Sequence, residues 1–175
     1  MNNLKSRRAF IVGLSSTKIT NKERHFLRKY KPWGVILFAR NIKSVDQTKK
    51  LTNDIKKIFK DQKYPILIDE EGGMVTRIRS IIDNSHFPAK YFGDNYKKDK
   101  TKSLLYLRTY IKQISHLLRY MGISINTVPV LDIPRPFTSK VIGTRAISKD
   151  INVINKIGVK TIEHFKEARI ATVIK

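Results

Sequence analysis

From Phe10 onward, short apolar runs alternate with longer stretches whose apolar residues recur at helical spacing. The short runs predict strands at Ala9–Gly13, Val35–Phe38, Ile66–Ile68, Ile123–Val130 and Ala171–Ile174. Several are continuous and rich in β-branched residues rather than alternating, the pattern of strands covered on both faces. The longer stretches predict four helices. The first is capped by Thr20 or Asn21 and runs to about Tyr30, with Phe26, Leu27 and Tyr30 on one side. A second starts at Ser44, where Gln47 three residues on completes a capping box, and carries Leu51, Ile55, Ile58 and Phe59 to its end. A third covers Thr101–Met121 and stops at Gly122. The fourth runs from about Asp150 to Ala168. Residues 78–100 show no period and are broken by Asp83-Asn84-Ser85, Pro88 and Gly93-Asp94-Asn95, so they are expected to form a long irregular loop.

Strands and helices in strict alternation call for a parallel sheet with helical crossovers, an α/β fold. Two architectures fit: an open doubly wound sheet, or part of a (β/α)8 barrel. No phosphate-binding glycine motif follows the first strand, which removes the usual support for a nucleotide-binding open sheet. A complete barrel takes about 250 residues. A chain of 175 residues with five strands and four helices would be the N-terminal half of one, a single partial domain over residues 1–175.

Composition adjusts this picture in two places. There is no cysteine, so disulfides, thiolate metal sites and cysteine nucleophiles are excluded. The net charge is +22, which opens the question of an anionic partner. The basic residues are spread over every helix without a zinc finger, helix-turn-helix or RNA-binding motif. They read as a solvated surface with no specific nucleic-acid site, and weak polyanion binding at low salt is expected. Ser6-Arg7-Arg8-Ala9-Phe10 is similar to the start of a twin-arginine export signal, but the apolar run after it is short and lacks a cleavage site. It reads as the first strand, no membrane span is expected, and a cytoplasmic location is the expectation.

Candidate chemistry gathers at the strand ends. Pro65–Arg77, PILIDEEGGMVTR, reads as a buried strand that opens into three carboxylates, Asp69, Glu70 and Glu71, and then Gly72-Gly73. Carboxylates there are costly unless the strand end faces a polar cleft, and in parallel α/β folds that is where clefts lie. Just past the other strands come Arg40 and Asn41, Asp132 and Arg145, and Lys175. Acids and cations around one mouth suit a neutral, hydroxyl-rich ligand, because each hydroxyl both donates and accepts. His25, His86, His116 and His164 have no metal-ligand spacing, and no metal or cofactor is expected.

The phrases GVILFARN at Gly34–Asn41, IDEEGGMVTR at Ile68–Arg77, PVLDI at Pro129–Ile133 and IGTR at Ile142–Arg145 with Asp150 resemble the N-terminal half of family-3 glycoside hydrolases. They are most similar to the bacterial single-domain β-N-acetylhexosaminidases of peptidoglycan recycling. The resemblance implies that Asp69, Arg77, Arg145 and Lys175 bind a sugar, with N-acetylglucosamine-containing peptidoglycan fragments as substrate. Glu71, Asp132, Arg40 and Asn41 would support them: Glu71 by pairing with Arg77 or a neighbouring loop, Asp132 by organising the loop of Arg145, and Arg40 and Asn41 by shaping their own. Glu70 stands where the family usually has Gln, and Met74 where it commonly has Arg. An extra carboxylate beside Asp69 is expected either to alter the pKa of the pair or to face solvent.

In this family Lys175 would be followed by a His-x-Pro-Gly-His-Gly loop that supplies the acid/base, with a nucleophilic aspartate on a later strand. Such retaining enzymes need the two groups about 5 Å apart on either side of the anomeric carbon. Three adjacent carboxylates at one strand end cannot do this, so the chain is expected to be the substrate-binding half, inactive by itself and with no catalytic residue. Two alternatives stand beside this: a basic binding protein for nucleic acid or another anionic polymer, and a half-barrel that assembles with a separately encoded partner through its unpaired edge strands.

Overall fold

The structure, a computed structural model, describes residues 7–175. Ser6 of the twin-arginine motif lies outside them. Arg7 pairs with Asp61 and lies over the Tyr64 ring, and Arg8 opens the first strand with its guanidinium over Tyr30, so both arginines serve the fold.

The elements are β1 (Arg8–Gly13), α1 (Asn21–Tyr30), β2 (Pro32–Leu37), α2 (Val45–Phe59), β3 (Ile66–Ile68), α3 (Ala89–Lys98), α4 (Lys100–Tyr120), β4 (Ile125–Asn126), α5 (Ile151–Glu167) and β5 (Ala171–Thr172). All five strands pair in parallel in the order β1-β2-β3-β4-β5. A doubly wound sheet reverses its strand order at a switch point. A sheet in which every strand neighbours the next in sequence is barrel wall instead, so the open-sheet alternative falls. Among the described residues, no helix is long and apolar enough to cross a membrane.

The core is built where the periodicities meet. Val35, Leu37, Ile66 and Ile68 of the central strands are fully buried, packed with Leu51 and Ile55 of α2 and Leu107, Ile111 and Leu118 of α4. At the flanks, Ile11 on β1 and Val173 and Ile174 after β5 are exposed. Thr20 closes a full capping box with Glu23 on α1. At α2 the box stays open. Ser44 accepts from the Gln47 N–H at 3.2 Å, but the Gln47 amide reaches past it to the Lys43 N–H and donates to the Thr17 and Asn41 carbonyls. Tertiary partners outbid the local one.

Two further expectations change. The strand expected over Ile123–Val130 is laddered only at Ile125–Asn126, because Pro129 has no N–H to give. Main-chain bonds resume beyond it, from Lys175 N–H to the Pro129 carbonyl and from Leu131 N–H to the Lys175 carbonyl. The irregular stretch 78–100 contains a fifth helix, α3. Gly93, Asp94 and Asn95 read locally as a turn, but Phe92 is buried, with Tyr91 edge-on and Tyr110 tilted against it and Phe87 packed on both tyrosines. Burial of that aromatic group outweighs a glycine penalty of about 1 kcal/mol.

Gly93 is there for space. A Cβ on it would lie 2.0 Å from the carbonyl oxygen of Ile147, a backbone atom that cannot step aside. Gly93→Ala is therefore expected to cost about 3 kcal/mol, the upper end for overpacking, read as a lowered denaturant midpoint. An unchanged midpoint would mean that α3 does not seat against the segment before α5.

Candidate functional site

The site is assembled from what leaves the carboxyl ends of β3, β4 and β5. Successive residues of an extended strand point to opposite sides, and this sorts the three acids. Asp69 and Glu71 project together into the mouth, while Glu70 between them turns inward.

Asp69 collects three donors. Arg77 Nη2 donates to its Oδ2 at 2.8 Å, Thr127 Oγ1 donates to its Oδ1 at 2.7 Å, and Lys175 Nζ also donates to Oδ1. Burial pushes this carboxyl up, but the hydrogen bonds from Lys175 and Thr127, the Lys175 charge and the Arg77 bond outweigh it and hold it below its ordinary 3.8. Glu71 takes a two-pronged grip from Arg145, with Nε on Oε2 at 2.8 Å and Nη2 on Oε1 at 2.9 Å, the planar fork geometry that favours arginine over lysine. Lys175 Nζ also lies 2.6 Å from Glu71 Oε1. It thus bridges the two acids. Its position is set by the main-chain bonds that clamp Lys175 between Pro129 and Leu131. Glu71 pairs with Arg145 and Lys175, not with Arg77.

Glu70 is 2% exposed and neither faces solvent nor pairs with Asp69. Its Oε2 accepts from Arg77 N at 2.6 Å, Ile78 N at 3.2 Å and Thr76 Oγ1 at 3.2 Å, and its Oε1 accepts from Asn84 Nδ2 at 2.7 Å. Desolvation raises its pKa in spite of these donors. The carboxylate is the hub on which loop 70–84 is wound. Gly72 and Gly73 turn the chain at φ +77 and +64, and a Cβ on Gly72 would meet the Phe87 carbonyl oxygen at 2.4 Å, so that turn requires glycine. Met74 at the tip is exposed.

Arg40 and Asn41 shape their loop. Asn41 is wholly buried; its Oδ1 accepts from the Phe38 N–H at 2.9 Å, and its Nδ2 donates to the Leu14 and Ser16 carbonyls. Arg40 Nε donates to the same Leu14 carbonyl at 2.8 Å, and its guanidinium lies over Phe38. Arg77 reaches the other way over that ring, 5.6 Å from its centroid, which links this loop to Asp69. Asp132 is exposed and, among the described residues, makes no hydrogen bond or ion pair; it acts on Arg145 as a charge alone. Main-chain bonds to Lys175 organise the start of its loop instead.

Two residues were not singled out from the sequence. Asn126 is fully buried and clamps the Glu70 backbone from both sides, accepting from its N–H at 3.0 Å and donating to its carbonyl at 2.8 Å. Thr127 then reaches Asp69. A polar pair inside the apolar run Ile123–Val130 was the available signal. Beneath the acids, α3, α4 and α5 enclose an apolar cavity of about 50 Å³ lined by Phe92, Tyr110 and Ile147, with Glu70 and Arg145 at its edge. It has room for a water or a methyl group but not a sugar ring. His25, His86 and His116 are exposed and His164 half-buried, and among the described residues no three metal-ligating side chains converge.

The arrangement offers two acceptor carboxylates and three cationic donors side by side at an open polar mouth. Such a surface can fix the orientation of several vicinal hydroxyls. It places no carboxylates on opposite sides of a bond.

The family model described as the glycosyl hydrolase family 3 N-terminal domain matches residues 3–175. A β-hexosaminidase from Hydrogenovibrio crunogenus is 30% identical over 166 residues, covering 94% of this chain and 45% of that protein. One from Xanthomonas euvesicatoria is 28% identical over 144 residues, covering 82% of this chain and 42% of that protein. The chain thus spans less than half the length of these relatives. Among solved structures, NagZ from Neisseria gonorrhoeae in complex with N-trifluoroacetyl-D-glucosamine superposes with a TM-score of 0.85 at 23% identity, covering 97% of this chain and 50% of that one. A family-3 β-N-acetylglucosaminidase from Paenibacillus superposes with a TM-score of 0.81 at 24% identity, covering all of this chain and 32% of that one.

Proposed function

We propose, from the premise that the chain belongs to glycosyl hydrolase family 3 through its N-terminal domain, that it is the sugar-binding half of a β-N-acetylhexosaminidase. Asp69 accepts from two hydroxyls of a non-reducing terminal N-acetylglucosamine, and Arg77, Arg145 and Lys175 donate to the oxygens around them. Glu71 holds Arg145 and Lys175 in place. The substrates are N-acetylglucosamine-containing fragments of peptidoglycan.

The observation that carries this reading is the bridge made by Lys175 between Asp69 and Glu71. It joins the ends of β3 and β5, and Thr127 and Arg145 add the end of β4 to the same donor–acceptor array. Sugar hydroxyls can enter that array by replacing ion-pair contacts with hydrogen bonds of similar strength. Cleavage with retention needs a nucleophile and an acid/base on either side of the anomeric carbon. Asp69 and Glu71 face one side only and Glu70 faces the core, which supports a binding role for these acids rather than that of nucleophile and acid/base. The exposed flanks of β1 and β5 are where the rest of a barrel would pair, and a separately encoded half could cover the same edges.

Titration with N-acetylglucosamine, followed by amide NMR, tests the reading. Saturable shifts confined to 69–77, Thr127, Arg145 and Lys175 are expected, with weaker ones from glucose. Shifts elsewhere, or none at all, would remove the sugar site from consideration.

A further inference from the structure

On the outer surface, away from the strand ends, α4 and α5 leave an open groove of about 890 Å³. Its α4 wall carries Arg108, Lys112, His116 and Arg119, and its far end is closed by His164 and Glu167 of α5. At 100° per residue these four α4 side chains fall within an arc of about 80°, and they run about 16 Å along the axis. They form one ridge, not a scatter.

Ordinary helix chemistry accounts for part of this ridge only. Arg119 lies in the last turn of α4, where a cation offsets the negative helix end. That effect fades within one turn, and Arg108 and Lys112 lie two turns or more before it. Nor are they held by acids. With 36 basic residues against 14 acids, most cations of the chain go unpaired, Lys57, Lys90 and Lys160 being exceptions. What sets the ridge apart is that its unpaired cations share one face beside a groove. Among the described residues, Arg108, Lys112 and Arg119 have no ion pair and no hydrogen bond. Like charges at i, i+4 cost a few tenths of a kcal/mol, and a bound anion would turn that cost into attraction. The groove's one carboxylate, Glu167, sits at the far end against His164 Nδ1 at 3.4 Å.

We propose that this groove binds the phosphates of a linear phosphate polymer, with Arg108, Lys112 and Arg119 each engaging one phosphate and His116, Thr109 and Gln113 adding donors. The two arginines present the fork that suits phosphate oxygens. No Phe, Tyr or Trp lines the groove, so it lacks the large stacking platforms on which bases are usually held. The occupant is a single-stranded nucleic-acid backbone, recognised through its phosphates alone. The ridge lies apart from the sugar site, so the two ligands do not compete.

A labelled single-stranded oligothymidylate, followed by anisotropy over a salt series, tests this on the full chain. The triple variant Arg108→Gln, Lys112→Gln, Arg119→Gln is set against Lys22→Gln, Arg28→Gln, Lys50→Gln, which removes the same charge from exposed positions of α1 and α2. The groove triple is expected to weaken binding at least tenfold and to lower the salt slope by about 2, from about 0.7 per phosphate contact. The control triple should change affinity less than threefold. Inorganic polyphosphate should displace the oligonucleotide. Equal weakening by the two triples would mean that the diffuse charge of the chain is responsible and would overturn the site. Failure of polyphosphate to compete would overturn recognition by phosphate alone.

Discussion

Asp69→Ala is expected to lower affinity for N-acetylglucosamine at least about a hundredfold while leaving the protein folded. Asp69 accepts from Arg77, Thr127 and Lys175 at once, and the neighbouring acceptor, Glu71, is already engaged on both oxygens by Arg145 and Lys175. Truncating one member of a hydrogen-bonded charge cluster costs about 2–5 kcal/mol of binding, and a hundredfold corresponds to about 2.7 kcal/mol. Stability should fall much less, because Arg77 and Lys175 can turn to water and Lys175 keeps Glu71. The pH dependence follows from the lowered pKa of Asp69. Above 3.8 the ionised form contributes stability, and this is lost as pH falls through the lower folded value. A folded variant that binds sugar at wild-type affinity would remove Asp69 from the binding role.

Glu70→Ala is expected to do the reverse, costing stability more than any change at the mouth. It strands the N–H groups of Arg77 and Ile78, the Thr76 hydroxyl and the Asn84 amide, all at or near the core. At about 1–3 kcal/mol per stranded group, with some recovered by entering water, a loss of about 4 kcal/mol is expected. That is a large part of the 5–15 kcal/mol typical of a domain. Glu70→Gln should be close to neutral. The Asn84 Oδ1 has no partner, so turning that amide would offer it to the new Nε2. Glutamine should also remove a pH dependence. Glu70 has a raised pKa, so from its ordinary 4.5 upward the folded state holds its proton longer than the unfolded chain, and stability falls as pH rises through that window. Denaturant midpoints across pH 4–8 give the answer. Equal loss for Ala and Gln, or an unchanged slope in the Gln variant, would mean that Glu70 is not the hub of this loop.

The same pair of residues marks how far the sequence could be read. Asp69 and Glu70 were both visible as carboxylates at a strand end, yet Glu70, expected to act on Asp69 or to face solvent, is buried. The strand is three residues long, and its last paired residue decides the side of every residue after it. Glu70 was read by its charge, whereas its orientation is settled by the alternation that Ile66, Leu67 and Ile68 begin. The helix at Ala89–Lys98 escaped for a related reason. Its glycine and its Asp-Asn pair are turn formers locally, and the aromatic packing that overrules them comes from Tyr110, on another helix. The half-closed capping box at Ser44 was misjudged because Gln47 answers to Thr17, 30 residues away.

Periodicity, caps and turn residues sufficed for the order of the strands and of every helix but α3, for the parallel sheet and for the polar character of the strand ends. These depend on contacts within a few residues, which a linear reading can follow. The family motifs lie on those same local segments. The ionic pairing was decided only by the tertiary structure. Asp69 meets Lys175 across 106 residues and Glu71 meets Arg145 across 74. Thr127 and Asn126 join them because β4 is in register with β3, Asn126 beside Ile68. Likewise, the unpaired ridge of α4 became a groove only when α5 packed beside it. Charge strength is written in the residue, but which charge it meets is set by register and side. Both come from the packing of strands and helices far apart in the chain.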